Sequence, residues 1–187
     1  MATITRTDRL ILMPLGTEHD EEAYKVYSDM RIWTHRPNAR HEDVRETRQL
    51  IQRTQQSWTL RNLGPWSVYL RDQPSEFIGV GGLELVDGKV WDLKYRFRPD
   101  KWGNGYATEV SQAALRTVRR LDPDTPITAR VTTNHPSSYR VLEKVGFQPV
   151  WEGRRTGTED IPGEPDVRIY ADRELAGDIL EMLKARP

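Results

Sequence analysis

The sequence predicts a mixed α/β fold of the α+β kind, on three observations. Strand-like and helix-like segments follow one another without the strict alternation of a doubly wound sheet. The dipeptide Asp87-Gly88 joins two long strand-like runs, and the tight turn it implies needs positive φ at both central positions. After the second run, Val90 to Arg98, come Pro99, a glycine-containing loop and an amphipathic helix.

Taken in order, Arg9 to Met13 reads as a strand ended by Pro14. Thr17 to Met30 reads as a helix with Thr17 as N-cap, acidic residues in its first turns and Ala23, Val26, Tyr27 and Met30 on one face. Residues 31–40 contain Pro37-Asn38 and read as a loop. Residues 42–61 form a polar, Arg-rich helix with a thin stripe at Val44, Leu50, Ile51 and Trp58, stopped by Gly64-Pro65. Strands follow at Trp66–Leu70, Phe77–Val86 and Val90–Arg98. The last alternates: Trp91, Leu93, Tyr95 and Phe97 share one face, and Asp92, Lys94 and Arg96 the other. A helix from about Asn104 to Arg120 carries Ala107, Val110, Ala114, Val118 and Leu121 at helical spacing. Ile127–Thr132 is a strand, and His135–Val145 a helix closed by Gly146 in the left-handed conformation. Phe147–Trp151 and Val167–Tyr170 are strands separated by a polar loop at 152–166. Asp172 is read as the cap of a final helix bearing Leu175, Ile179, Met182 and Leu183, an extension over about 172–185. The whole, 1–187, is expected to be one domain.

Composition removes several classes. With no cysteine there is no disulfide, thiolate zinc site or cysteine nucleophile. Lys and Arg total 28 against 28 Asp and Glu, so no global field points to nucleic acid or an anionic membrane. No run approaches ~18 apolar residues, and no signal-peptide core opens the chain. A cytoplasmic, soluble protein is expected. His19, His35, His41 and His135 lack metal-ligand spacing and read as solvated side chains, so no metal is expected.

The chemistry concentrates where the strand ending at Phe97 meets the next helix. Gly103 and Gly105 precede the first helical turn, so free backbone N–H groups and the positive end of the helix dipole face one spot. A diphosphate suits such a spot. GxxxxGK[ST] is absent, and Thr108 stands where GxGxxG needs its third glycine. Alone, the Gly-x-Gly is equally an ordinary strand-to-helix turn.

Trp102-Gly-Asn-Gly-Tyr-Ala107 resembles the (Gln/Arg)-x-x-Gly-x-(Gly/Ala) acyl-CoA signature of the GNAT N-acetyltransferase superfamily. Asn134 to Phe147, with Ser138 and Lys144-Val145-Gly146-Phe147, resembles that superfamily's Asn-x-x-(Ala/Ser)…Lys-x-Gly-Phe segment. Thr7 to Pro14 and Phe77 to Leu83 are similar to the branch of ribosomal-protein N-terminal (RimJ/RimL-type) acetyltransferases. The resemblance covers residues 7–171.

It implies the GNAT fold: a twisted mixed sheet, helices on both faces, and a V-shaped split between two parallel central strands that takes acyl-CoA. The implied coenzyme contacts are Phe97 and Arg98 on the strand; Trp102, Gly103, Asn104, Gly105, Tyr106, Ala107 and Thr108 in the loop and first turn; and Asn134 and Lys144 beyond. Ser138 matches the branch's serine and is the candidate proton donor to the leaving thiolate. Asp92 stands at the branch's strand glutamate and is the candidate base, acting through water. The other reading of Asp92 is a charge partner of Lys94 or Arg96, and Glu84 is the reserve base. Ser138 is equally readable as an early-helix cap. Two departures stand out: Lys94 and Arg96 replace small and aromatic groups of that branch, and Leu142 falls where many members place a tyrosine acid. Trp33 and His35 are expected to border the acceptor cleft. The Arg-rich stretch Arg36–Arg53 and the pair Arg154–Arg155 read as solvated faces that can border an acidic acceptor or the coenzyme's 3′-phosphate.

The expected activity is transfer of an acetyl group from acetyl-CoA to a primary amine, on a small molecule or a protein N-terminus. The alternative is a degenerate acyl-CoA-binding or sensing module. Nucleic acid and membrane are not expected partners; a homodimer is left open.

Overall fold

The computed structural model describes residues 4–186; Met1 to Thr3 and Pro187, part of the span expected to form one domain, lie outside the described residues. Eight strands form one sheet in the order β1-β2-β3-β4-β5-β6-β8-β7. The strands are β1 (Thr5–Arg6), β2 (Leu10–Pro14), β3 (Pro65–Leu70), β4 (Phe77–Val86), β5 (Val90–Phe97), β6 (Ile127–Thr132), β7 (Gln148–Gly153) and β8 (Val167–Ala171). The helices are α1 (Asp20–Tyr27), α2 (Val44–Arg61), α3 (Tyr106–Leu121), α4 (Pro136–Lys144) and α5 (Gly177–Ala185).

All pairings are antiparallel except β5 with β6. That parallel pair is in register at only two positions, Trp91 with Ile127 and Asp92 with Thr128. Beyond Asp92 the two strands part, which is the split the sequence implied. The hairpin before it forms as expected, with Asp87 at φ +50° and Gly88 at φ +69°.

Helices cover both faces. Val110, Ala114 and Val118 of α3 are fully buried against Leu10, Val68, Ile78 and Leu83. On the other side Ala23, Val26 and Tyr27 of α1 and Ile51 of α2 pack with Trp33, Phe77 and Val80. Trp66 and Trp91 are fully buried in the core.

Several boundaries move. Thr17 does not cap α1; it begins a 3-10 turn (Thr17–His19) whose N-cap is Gly16, and α1 starts at Asp20. Because α1 stops at Tyr27, Met30 leaves the apolar face and is 72% exposed. The loop at 31–40 contains two 3-10 turns, Met30–Trp33 and Pro37–Ala39. Asn62, left-handed at φ +53°, ends α2 before Gly64 is reached. The buried face of α2 is more polar than its apolar stripe suggested, since Thr47, Thr54 and Ser57 are buried with Ile51. Their hydroxyls are satisfied locally: Thr54 donates to the Ile51 carbonyl, and Ser57 Oγ accepts from the Leu85 N–H.

Asp172 does not cap α5, whose N-cap is Ala176. Asp172 instead accepts the Ile127 N–H at 2.9 Å and pairs with Arg173, holding the start of β6. β1 escaped sequence reading because two residues carry no period. None of the four histidines is exposed: His19 is 5% exposed, and His35, His41 and His135 are half-buried. Among the described residues no helix is long and apolar enough to cross a membrane.

Candidate active site

Where β5 and β6 part, a cavity of about 990 Å³ opens through the sheet. Its lining includes Asp92, Lys94, Tyr95 and Arg96 of β5, Arg130 to Thr132 of β6, and His135, Ser138 and Leu142 from the α4 segment. The α1–α2 side contributes Tyr27, Trp33 and His35. Strand alternation explains why one strand serves both sides: Tyr95 projects toward α4, and Lys94 and Arg96 project the opposite way.

Ser138 sits in the first turn of α4, and its Oγ lies 2.9 Å from the Tyr95 hydroxyl. The Tyr95 hydroxyl also donates to the Ser138 carbonyl at 3.2 Å. Burial pushes the Tyr95 phenol up to about 12, so it stays protonated at neutral pH. The Tyr95 hydroxyl has one proton: when it goes to Ser138 Oγ rather than to the carbonyl, the serine proton is free to point into the cavity. Sequence reasoning placed Tyr95 on one face with Trp91, Leu93 and Phe97 and missed it as a partner; its alternation with Lys94 and Arg96 was the available signal. Leu142, at the superfamily's tyrosine position, is buried and supplies no hydroxyl.

Asp92, 4% exposed, has Arg186 Nη1 at 2.6 Å from Oδ2 and Lys94 Nζ at 3.7 Å. Glu84, its cross-strand neighbour, is 5% exposed and pairs with Lys94, with Arg53 at 3.4 Å and with Arg186 at 3.5 Å. Burial raises the Glu84 carboxyl, but Lys94, Arg186 and Arg53 outweigh it and hold it below its ordinary value. Lys94, Arg53 and Arg186 thus surround the two buried carboxylates. Arg96 is not among these partners, which narrows the charge-pair reading of Asp92 to Lys94 and adds Arg186. No sequence signal pointed to Arg186, because α5 has no fixed spacing to the sheet.

The loop expected to hold the coenzyme lies at the other end of β5. Gly103 and Gly105 have φ of +78° and +79°, and Gly105 is the N-cap of α3 with no side-chain cap bond. The first amides of α3 are therefore left to a ligand or to water. This fits an anionic diphosphate: the donors are backbone groups, and a Cβ on Gly103 would project into open space rather than into protein. Trp102 is 52% exposed, and its indole N–H donates to the Phe97 carbonyl at 2.9 Å. Asn104 folds its amide onto the Lys101 and Trp102 carbonyls, so it shapes the loop. Tyr106, Ala107 and Thr108 form the first turn, half-buried. Arg98 donates its N–H to the Ile78 carbonyl, so the preceding amide, that of Phe97, faces the split. The Arg98 side chain turns away to Asp100 and Glu76.

Arg9 was not foreseen here. Its Nη1 donates to the Asn104 carbonyl at 2.7 Å, its guanidinium lies 4.8 Å over the Tyr106 ring, and Glu109 holds its Nε at 2.7 Å. None of the implied coenzyme contacts lines the cavity; two of them lie beyond both it and the loop. Asn134 donates its side-chain amide to the His35 carbonyl at 3.1 Å, and Lys144 is exposed at the end of α4.

The His35 and His135 rings stack at 4.0 Å between centroids. Burial, the neighbouring imidazole and nearby arginines push His35 down to about 3; burial and Arg96 push His135 down to about 4. Both are neutral at pH 7. Among the described residues no group of three or more His, Asp or Glu could hold a metal ion.

Comparison with known proteins follows the same lines. An uncharacterized N-acetyltransferase of Bacillus subtilis, YoaA, is 27% identical over 150 residues, 79% of this chain and 84% of that one. A GNAT-family acetyltransferase structure from Bacillus anthracis superposes with a TM-score of 0.72 at 19% identity, covering 90% of this chain and 97% of that one. RimL, the ribosomal L7/L12 alpha-N-protein acetyltransferase in complex with coenzyme A, gives 0.72 at 17% identity over 91% and 99%. The microcin C7 self-immunity acetyltransferase MccE, in complex with acetyl-CoA and AMP, gives 0.67 at 13% over 88% and 92%. At these identities the structures share the fold. The acetyltransferase (GNAT) domain profile matches residues 9–148, which spans the loop, the split and Ser138, and the chain belongs to the GNAT acetyltransferase family.

Proposed function

We propose that this enzyme transfers the acetyl group of acetyl-CoA directly to a primary amine, on a small molecule or a protein N-terminus. The observation that carries the reading is the split: two parallel strands paired at two positions and then parted around a cavity with ionisable walls. A pantetheine chain entering the split would run beside β5, its diphosphate against residues 103–108 and the N-terminus of α3. The Phe97 N–H would polarise the thioester carbonyl.

Holding amine and thioester together is the largest single contribution available to such a site. Ser138, backed by Tyr95, is the proposed proton donor to the departing thiolate. Asp92 is the proposed proton acceptor, acting through water, with Arg186 and Lys94 beside it. Coenzyme contacts from Asn134 require its bond to His35 to open. Lys144, exposed near the α3–α4 side, is proposed to meet the outer part of the coenzyme.

The test is acetyl-CoA consumption, read as free thiol, against a panel of primary amines and N-terminal peptides. Turnover with acetylated product found by mass spectrometry supports the reading. Acetyl-CoA binding by calorimetry with no turnover on any amine would instead mark a sensing module.

A further inference from the structure

The charges lining the cavity do not balance. Arg36, Arg53, Lys94, Arg96, Arg130 and Arg186 face three carboxylates, Glu84, Asp87 and Asp92. Glu84 and Asp92 are already engaged with Arg53, Lys94 and Arg186. Arg130 donates to the Leu183 and Arg186 carbonyls and lies in the field of Asp92. Away from that cluster, at the other end of the acceptor side, stand Arg36 and Arg96.

Among the described residues neither Arg36 nor Arg96 has a carboxylate within 4.0 Å. The Arg96 guanidinium lies 4.9 Å over the Trp33 ring, and Nη1 donates to its own strand at the Tyr95 carbonyl, 2.7 Å away. Its Nε is buried and has no hydrogen-bond partner among the described residues. A stacked, half-buried guanidinium with no carboxylate partner within 4.0 Å among the described residues is held in place for a planar acceptor. Arg36 is half-buried beside it; burial and the charge of Arg155 lower its pKa, Glu164 opposes them in part, and Arg96 lowers it further. The same field, added to burial, keeps His35 and His135 neutral, so they add N–H donors without further charge.

A concave wall with surplus positive charge and low-dielectric sides focuses potential on whatever enters. The coenzyme's own phosphates do not account for it. Their proposed cradle is the N-terminus of α3, beyond Phe97, whereas Arg96 and Trp33 sit on the α1–α2 side. Resting on the acetyltransferase reading above, we propose that the acceptor is an amine that also carries an anionic group, a carboxylate or a phosphate, bound by Arg96 and Arg36 against the Trp33 shelf. The amine then points toward the split, where Asp92 and Ser138 lie on opposite walls.

Matched amine pairs test this: β-alanine against β-alaninamide, and O-phosphoethanolamine against ethanolamine. Each is assayed for kcat/KM with saturating acetyl-CoA on the full chain. We expect the anionic member of at least one pair to be favoured by tenfold or more, and the pair that shows it tells carboxylate from phosphate. Arg96→Gln should shrink that ratio to near one, and Arg96→Lys should keep part of it. If Arg96→Gln fails to fold, Arg36→Gln at the more open position reads the same ratio. Equal turnover of anionic and neutral members would overturn the proposal while leaving the acetyltransferase reading intact. If no amine is acetylated, the activity reading fails alone, and calorimetric binding of the same pairs decides: tighter binding of the anionic member supports the anion site, and equal binding overturns it.

Discussion

The Tyr95–Ser138 contact gives a double-variant test with separable magnitudes. As the thiolate leaves and Ser138 gives up its proton, negative charge grows on Oγ, 2.9 Å from the Tyr95 hydroxyl. A hydrogen bond to a charged group is worth about 1.5–3 kcal/mol. At about 1.4 kcal/mol per decade, Tyr95→Phe should slow the chemical step roughly ten- to hundredfold. Ser138→Ala removes the donor itself, and general acid help is typically worth about 10²–10⁴-fold. In the double variant Tyr95 has nothing left to support, so its loss should add little to that of Ser138→Ala. Single-turnover acetyl transfer with a reactive amine keeps product release from masking the step, and calorimetry with coenzyme A should give near-wild-type affinity for all three. If the double variant multiplies the two single losses, Tyr95 acts independently of Ser138 and the relay is wrong. A drop well below tenfold for Ser138→Ala would remove the serine from the proton path altogether.

Gly105→Val should weaken coenzyme binding several-fold: φ of +79° costs an L-residue roughly 1–2 kcal/mol, and the nearest protein atom to a new Cβ, Arg9 Nη2 at 3.5 Å, gives no clash, so further affinity loss in calorimetry reports the ligand side. Asp92→Asn should lower turnover at least tenfold and erase the acidic limb of the pH–rate profile; a limb that survives and follows the pKa of the acceptor would leave Asp92 as the charge partner of Arg186 and Lys94. Glu109 accepts from Thr7 Oγ1, the Arg9 N–H and Arg9 Nε; burial raises its carboxyl, but these bonds prevail and hold it below the ordinary value near 4.5. Its contribution is thus present above that value and lost as pH falls through the lowered one, so Glu109→Gln should cost about 1–3 kcal/mol in denaturant melts at pH 7, and the gap should close toward pH 3.

How much of this was legible in the chain depends on how local the cause is. The β4–β5 hairpin, the alternation of β5 and the stripe of α3 were readable because each is written within a few residues. Gly146, at φ +96°, closes the α4 segment as its sequence position suggested. The misplaced caps at Thr17 and Asp172 share one reason. Each is a good N-cap residue by type, but the backbone around it was already committed, Thr17 to a 3-10 turn and Asp172 to an N–H of a distant strand. The polar buried face of α2 was illegible for the opposite reason: Thr and Ser side chains satisfied by nearby backbone look solvent-facing in a sequence.

The site divides along the same line. The coenzyme end is built from one contiguous stretch, so its glycines and uncapped helix start could be read directly, whereas Arg9, which braces it, is about a hundred residues away. The proposed acceptor end is assembled from β4, β5, α4, the turns before α2 and the residue after α5, and only the fold shows which charges meet. Asp92 and Arg96, four apart on one face, end in different electrostatic company. Asp92 is matched by Arg186 and Lys94, and Arg96 faces an aromatic ring and other cations. Lys94 and Arg96, which depart from the branch's central strand, thus divide between them the neutralised and the unneutralised halves of the wall. Those two substitutions need not mark a decayed pocket. With the carboxylates already paired, they leave a wall whose remaining charge is positive, which argues for a different acceptor rather than for the loss of one.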